Sequence, residues 1–245
     1  MVANPPRLVA LTLALATAAI AVVIAIIFTG DGRASSSVAT RQLIGHSVRG
    51  RAIYAYERGD PNGPTVLVVG SIHGNEPAGI AVAKRLLKLE PPEGTDLWVI
   101  PDLNPDGHAA HTRQNAHGVD LNRNFPWRWR RLKGNFYSGR RRLSEPESRA
   151  AYRLISRLQP LITIWFHQSL GAVDSSQGSR AQERIFARVA GLPLRRLPTY
   201  PGTATSWQNH TVPVTSAFVV ELPGGKIRAR KVSRYARAVL AVAAS

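Results

Sequence analysis

Two histidines and two glutamates of this chain stand where apolar runs end. His73 and Glu76 lie in SIHGNEPAG (71–79), His167 closes LITIWFH (161–167), and Glu221 falls near the end of SAFVVEL (216–222). Gly74 allows a tight turn after His73, so an H-x-x-E pair leaving a strand can aim an imidazole and a carboxylate at one ion. His167 can add a third ligand from another strand end. Three nitrogen or oxygen ligands with a fourth position left for water is the arrangement of a catalytic zinc. The pair alone arises often by chance, and a strand-end histidine serves structure as readily as it ligates, so spacing leaves both readings open. A carboxylate at the end of an apolar strand, such as Glu221, is expensive to bury and needs a reason.

Composition narrows the chemistry. The 245 residues contain no cysteine, which excludes thiolate zinc sites, iron–sulfur clusters, disulfides and a cysteine nucleophile. With 44% hydrophobic and 19% charged residues the chain is globular rather than disordered. Lys and Arg number 32 against 15 Asp and Glu, a formal charge of +17. Such a field favours anionic partners, whether nucleic acid, acidic lipid or an anionic wall polymer. The cations concentrate in 127–142 (WRWRRLKGNFYSGRRR) and 226–237 (KIRARKVSRYAR), and a solvated surface is the plainer account of both.

The candidate residues need elements to position them. Residues 65–72 (TVLVVGSI) form a continuous β-branched run, as in a strand buried on both faces, and 96–101, 161–167 and 216–222 read the same way. Pro77 opens a helix carrying Ile80, Ala83 and Leu87 on one face. Further helices are expected at 146–158, 181–190 and 227–243, with a turn at NPDG (104–107). Strands alternating with helices predict an α/β domain with a single, mostly parallel (mixed) sheet flanked by helices. In such sheets ligands sit beyond the carboxyl ends of the strands, where His73, His167 and Glu221 fall.

Ahead of the domain, Leu8 to Phe28 is free of charge, proline and glycine, long enough to cross a bilayer as a helix. With no A-x-A site after it, residues 1–29 are expected to form an uncleaved signal anchor or transmembrane helix. A linker at 30–41 and a domain at 42–245 follow. That places the domain outside the cytoplasm, attached to the membrane; secretion after signal cleavage is the alternative.

HGNE at 73–76, NPDG at 104–107, GVDLNRNF at 118–125, the strand-end His167 and VVELP at 219–223 occur in an order that resembles the M14 family of zinc carboxypeptidases. The likeness covers roughly residues 45–240. It implies a zinc-carboxypeptidase-like fold and one Zn2+ per chain held by His73, Glu76 and His167, with Asp120 orienting the first histidine. It further implies Glu221 as general base, Arg113 as the group polarising the scissile carbonyl, and Asn122 with Arg123 as the clamp on a terminal carboxylate.

Within that family, TRQNAHGVDLNRNFPW (112–127), SEPES (144–148), HQSLGAVDSS (167–176) and GLPLRRLPTYPGTATSW (191–207) look like bacterial murein tripeptide amidases. These cut the γ-D-glutamyl–diaminopimelate bond of wall peptides. The resemblance implies a small peptide substrate, with Asp174 either pairing with the distal amino group of diaminopimelate or serving as a loop residue. Tyr200 is either a phenol over the site or packing. The exported domain would meet anionic cell-wall polymers. Rival expectations are a carboxypeptidase on ordinary peptides, an N-acyl-amino-acid deacylase, or an inactive wall-binding module. WRWRRLKGNFY interleaves aromatics with arginines as single-strand binders do, but directly after GVDLNRNF it belongs to a loop near the cleft, so no nucleic acid is expected.

Overall fold

The computed structural model describes Met1 and residues 39–245. The expected membrane span at 8–28 and all but the end of the expected linker lie outside the described residues. Among those described, no helix is long and apolar enough to cross a membrane.

A seven-stranded mixed sheet forms the centre. β1 (Thr40–His46) and β2 (Ala52–Gly59) make an antiparallel hairpin, and β2 runs antiparallel to β4 (Asp96–Ile100). From there the sheet is parallel: β4 to β3 (Thr65–Val69), β3 to β5 (Ile162–Asp174), and β5 to β7 (Ser216–Pro223). The two-residue β6 (Leu194–Arg195) pairs with the end of β5. The first strand takes in Thr40 and Arg41, so the fold begins inside the stretch read as linker.

Successive side chains of a strand point to opposite faces, and the parallel strands are apolar on both. Val66, Val68, Ile162, Ile164, Phe218 and Val220 enter one core with α1 (Ala78–Leu86), α4 (Arg180–Ala190) and α6 (Ala229–Ala243). Leu67, Val69, Trp165, Ala217 and Val219 enter the other, against α3 (Pro146–Leu158) and Trp207 of α5 (Ala204–Thr211). A sheet buried on both faces reads as continuous apolar runs, which is why β3, β4, β5 and β7 were visible in the sequence. The hairpin was not, because its partly exposed strands mix polar and apolar residues. Nor was α5, whose sequence ATSWQNHT carries no apolar stripe. The NPDG segment, read as a turn, is the start of the short α2 (Pro105–Ala110), capped by the Asn104 side chain accepting from Gly107 N.

The register sets the site. Val69 lies opposite Trp165, and Trp165 opposite Val219, so β3 and β7 end at the edge where β5 carries His167. His167 and Glu221 are direct cross-strand partners. β5 does not stop at His167 but runs to Asp174. Between Ser169 and Ala172 its register shifts, and Ala172 and Val173 come opposite Glu221 and Val220, in reverse order. Gly171, with φ +63°, sits at this bend, a conformation that glycine adopts without steric cost.

Candidate metal centre and cleft

The turn after β3 is held from two sides. Ser71 Oγ donates to His73 O at 2.7 Å, and Asn104 Nδ2 donates to Ile72 O at 3.2 Å. Gly74 packs on the α2 backbone so closely that a Cβ there would lie 1.9 Å from Gly107 C. A side chain at 74 would push His73 off this seat.

His73, Glu76 and His167 converge, all three buried. His73 Nδ1 is 2.9 Å from Glu76 Oε1, His167 Nδ1 is 3.0 Å from Glu76 Oε2, and the two Nδ1 atoms are 3.1 Å apart. Ligand atoms around one tetrahedral zinc stand about 3.3 Å from each other, so this triad fits such an ion. The other ring nitrogen of His73, Nε2, is 3.0 Å from Asp120 Oδ1. An ionised carboxylate only accepts, so Nε2 carries the proton and Nδ1 turns its lone pair into the site.

Charge points the same way. Burial opposes a proton on His73, but the carboxylates of Glu76 and Asp120 outweigh it and leave its pKa raised. Burial likewise works against ionising Glu76 and Asp120, yet His73 beside them holds both well below the ordinary carboxylate range. Two ionised carboxylates around two imidazoles make a field that attracts a divalent cation. Arg113 straddles the pair, with Nε on Asp120 Oδ2 at 3.0 Å and Nη1 on Glu76 Oε1 at 3.2 Å. Asp120 also caps the short 3-10 turn at Leu121–Arg123, accepting from Asn122 N.

His73, Glu76, His167 and Arg113 line a cavity of about 230 Å³ together with Asn122, Arg123, Gln168, Asp174, Tyr200 and Glu221, while Asp120 is buried behind His73. Every site residue expected from the sequence therefore lines this one cleft or, in the case of Asp120, stands directly behind it. Glu221 is partly buried, with Leu170 N 3.5 Å from its Oε2. Burial pushes the Glu221 carboxyl up, and Glu76 adds to this against the pull of His167. Asn122 is oriented by Ala204 N donating to its Oδ1 at 2.9 Å, which turns Nδ2 toward His167. Arg123 is 4% exposed and spends Nη1 on Asn122 O at 2.7 Å, while its Nε is buried with no hydrogen-bond partner among the described residues. Its guanidinium lies 4.4 Å from the Tyr200 ring centroid.

Asp174 is less free than the sequence allowed. Its Oδ1 accepts from Ser176 N and Leu197 N and its Oδ2 from Ser176 Oγ, so it holds the loop together while facing the cleft. Tyr200 stacks on Phe136 at 5.9 Å and covers Arg123. Two contributors escaped the sequence reading. Phe136 lies 5.1 Å from Arg123 and 5.7 Å from Arg113, roofing both cations from within the Arg-rich stretch. Gln168 donates its backbone N–H to Glu76 Oε2 and accepts from Ala78 N, and its amide reaches Pro223 O, tying three strand ends together. The neighbouring His167 was the only signal for Gln168; Phe136 had none beyond its place among arginines.

Residues 32–173 match the sequence pattern of a family described as zinc carboxypeptidase. Murein peptide amidase A of Escherichia coli K12 is 32% identical over 157 residues, which are 58% of this chain and 64% of that protein, somewhat under two thirds of its length. Murein peptide amidase A of Vibrio campbellii is 29% identical over 195 residues, 73% of this chain and 77% of the relative. The crystal structure of murein-tripeptide amidase MpaA from Escherichia coli O157 superposes with a TM-score of 0.69 at 25% identity, covering 85% of this chain and 98% of the other. Carboxypeptidase A from Helicoverpa armigera shares the fold, with a TM-score of 0.72 at 17% identity over 85% of this chain and 68% of the other.

Proposed function

The chain belongs to the zinc carboxypeptidase family, and we propose that it hydrolyses an amide bond next to a free carboxylate, the γ-D-glutamyl–diaminopimelate bond of murein peptides. The observation that carries the reading is the pairing of two features across one small cavity. On one side His73, Glu76 and His167 converge beside Glu221; on the other, Arg123 presents a buried N–H that no group among the described residues satisfies. A substrate carboxylate would supply the missing acceptor.

Zinc held by His73, Glu76 and His167 would supply Lewis acidity at the scissile carbonyl and acidify water. Glu221, on the neighbouring strand end, takes the proton of the attacking water and delivers it to the leaving amine. Its desolvated position keeps the carboxylate basic enough for both transfers. Arg113, whose Nη2 has no hydrogen-bond partner among the described residues, can offer it to the oxyanion that develops on the carbonyl. Asp120 fixes His73 in the tautomer that leaves Nδ1 free. Arg123 and Asn122 grip the terminal carboxylate, and Tyr200 with Phe136 shields that contact from water. Asp174 faces the same cavity, where an amino group on the released residue can approach it.

The names of the E. coli and V. campbellii relatives support murein peptide as the substrate, and so does a cavity of only about 230 Å³, suited to one polar residue. We place the domain outside the cytoplasm, tethered by the apolar run at 8–28, where its basic surface meets anionic wall polymers. The test is to incubate the zinc-loaded protein with L-Ala-γ-D-Glu-meso-diaminopimelate and follow diaminopimelate release, with Glu221→Gln as control. Release by the wild type alone supports the reading. Trimming of ordinary C-terminal peptides with no diaminopimelate release would sink the amidase assignment.

A further inference from the structure

A second and larger cavity, of about 610 Å³, opens beside the catalytic one and shares Tyr200 and Gln177 with it. Its walls include Arg128, Arg130, Trp127 and His210. No metal ligand lines it. Beneath it, Phe125 N donates to Gly202 O, Gly202 N donates to Trp127 O, and Ala204 N donates to the Asn122 side chain. The cavity thus lies on the side of Asn122 and Arg123. A group reaching it belongs to the residue whose carboxylate those two side chains hold, the residue released by hydrolysis.

The lining is cationic and built. The stretch 127–142 carries seven Lys and Arg with no Asp or Glu, and none of the seven makes an ion pair among the described residues. Yet its backbone is pinned. Ser138 Oγ donates to Arg130 O and accepts from Leu132 N, and Trp129 Nε1 and Asn124 Nδ2 both donate to Ser138 O. Arg128 sits at φ +49°, in the left-handed region that few residues other than glycine adopt. Trp127 stacks on His210 at 4.2 Å, closing one wall. Arg128, over the Trp127 ring at 5.8 Å, and Arg130 are exposed, make no ion pair among the described residues, and line a concave surface next to the cleft, an arrangement suited to a carboxylate.

We infer that Arg128 and Arg130 form a specificity subsite for a second carboxylate, carried on the side chain of the released residue. The inference rests on the peptide-hydrolase reading above. It adds the residues that would read the distal end of that substrate: the released residue ends in a carboxylate, as diaminopimelate does and lysine does not. The same cations repel a side chain that ends in an ammonium alone, so discrimination has an attractive and a repulsive part.

The test compares L-Ala-γ-D-Glu-meso-diaminopimelate with L-Ala-γ-D-Glu-L-Lys, which lacks only the distal carboxylate. Both are titrated calorimetrically onto the zinc-loaded Glu221→Gln protein, where binding is read without turnover. The diaminopimelate peptide is expected to bind about tenfold more tightly, a difference of about 1.4 kcal/mol. Adding Arg128→Asn and Arg130→Gln brings the ratio close to one, and Arg128→Lys with Arg130→Lys restores part of it. Asparagine tolerates the left-handed backbone at 128, and a melting curve checks that each variant is folded. A ratio that survives loss of both arginines overturns the inference, as does equal weakening of both peptides, or no preference before mutation. Hydrolysis of neither peptide by the wild type, with the binding ratio behaving as stated, would sink the amidase reading and leave the subsite standing.

Discussion

Replacing Asp120 by Asn should weaken zinc binding without removing a ligand. Asp120 is fully buried, and its two oxygens have different tasks. Oδ1 accepts from His73 Nε2 and Asn122 N, both at 3.0 Å, and Oδ2 accepts from Arg113 Nε at 3.0 Å. The Asn carbonyl would keep the two Oδ1 contacts, since both partners donate. Its amide nitrogen would then face Arg113 Nε, donor against donor, at a spacing made for a hydrogen bond. His73 would also lose the charge that makes its Nδ1 a stronger base. Loss of a carboxylate behind a ligating histidine costs about 10–100-fold in metal affinity, equal to about 1.4–2.7 kcal/mol. Equilibrium dialysis in zinc buffers reads this directly, with His73→Ala as the reference for outright ligand loss. An affinity within twofold of wild type would refute the orienting role. A loss as large as that of His73→Ala, in a protein with an unchanged melting curve, would show that Asp120 ligates rather than orients.

Other residues give sharper contrasts. Glu221→Gln should retain zinc while kcat falls by about 10²–10⁴, the range for losing a positioned acid–base group; an active variant would remove Glu221 from the mechanism. Arg123→Lys should raise KM about tenfold or more by losing the planar fork, and the defect should vanish on a substrate whose terminal carboxylate is amidated. Asp106, buried in α2, accepts from Arg49 N at 2.9 Å and from the Arg51 side chain. Burial opposes its ionisation, but the Arg49 backbone N–H and Arg51 prevail and lower its pKa. Its contribution is therefore full above about pH 4, the unfolded pKa, and is lost as pH falls through the lower folded value. Asp106→Asn should cost about 1–2 kcal/mol at pH 7 in denaturant titrations, with the gap to wild type closing toward pH 3. Gly74→Ala should lower both melting temperature and zinc affinity, because its Cβ collides with the Gly107 backbone that seats His73.

The ligands were legible because they belong to short segments tied to strand ends. HGNE leaves β3, and His167 and Glu221 mark the same level of adjacent parallel strands, so apolar runs set them at one sheet edge, while their roles came from the resemblance. What escaped depends on contacts between segments distant in sequence. Gln168 acts through Glu76, Ala78 and Pro223, none of which its neighbours in the chain announce. Asp174 turned out to be engaged by Ser176 and Leu197; the first is a local turn that the sequence hints at, while the second requires the path of a loop. Phe136 was hidden for a different reason. In a stretch dominated by cations, composition speaks for the surface and says nothing of which ring is folded back over Arg113 and Arg123.

The charge imbalance itself reads differently once burial is known. Of the 14 acidic residues among those described, eight are buried: Glu76, Asp96, Asp106, Asp120, Glu145, Glu147, Asp174 and Glu183. Several have fixed partners there. Glu145 and Glu147 both accept from Asn115 beneath the SEPES segment, and Asp120 and Glu76 belong to the metal centre. The exterior is therefore more basic than a net charge of +17 suggests, since the acids are largely consumed in building the interior. The arginines of 127–142 have few carboxylates to pair with, and they stay available to an anion from outside. The chain thus concentrates negative charge at the candidate metal centre and leaves positive charge around it, as the proposed hydrolysis next to a free carboxylate would require. Those two demands meet at Arg123, which is near enough to Asp120 to feel its charge and keeps one buried donor for the ligand.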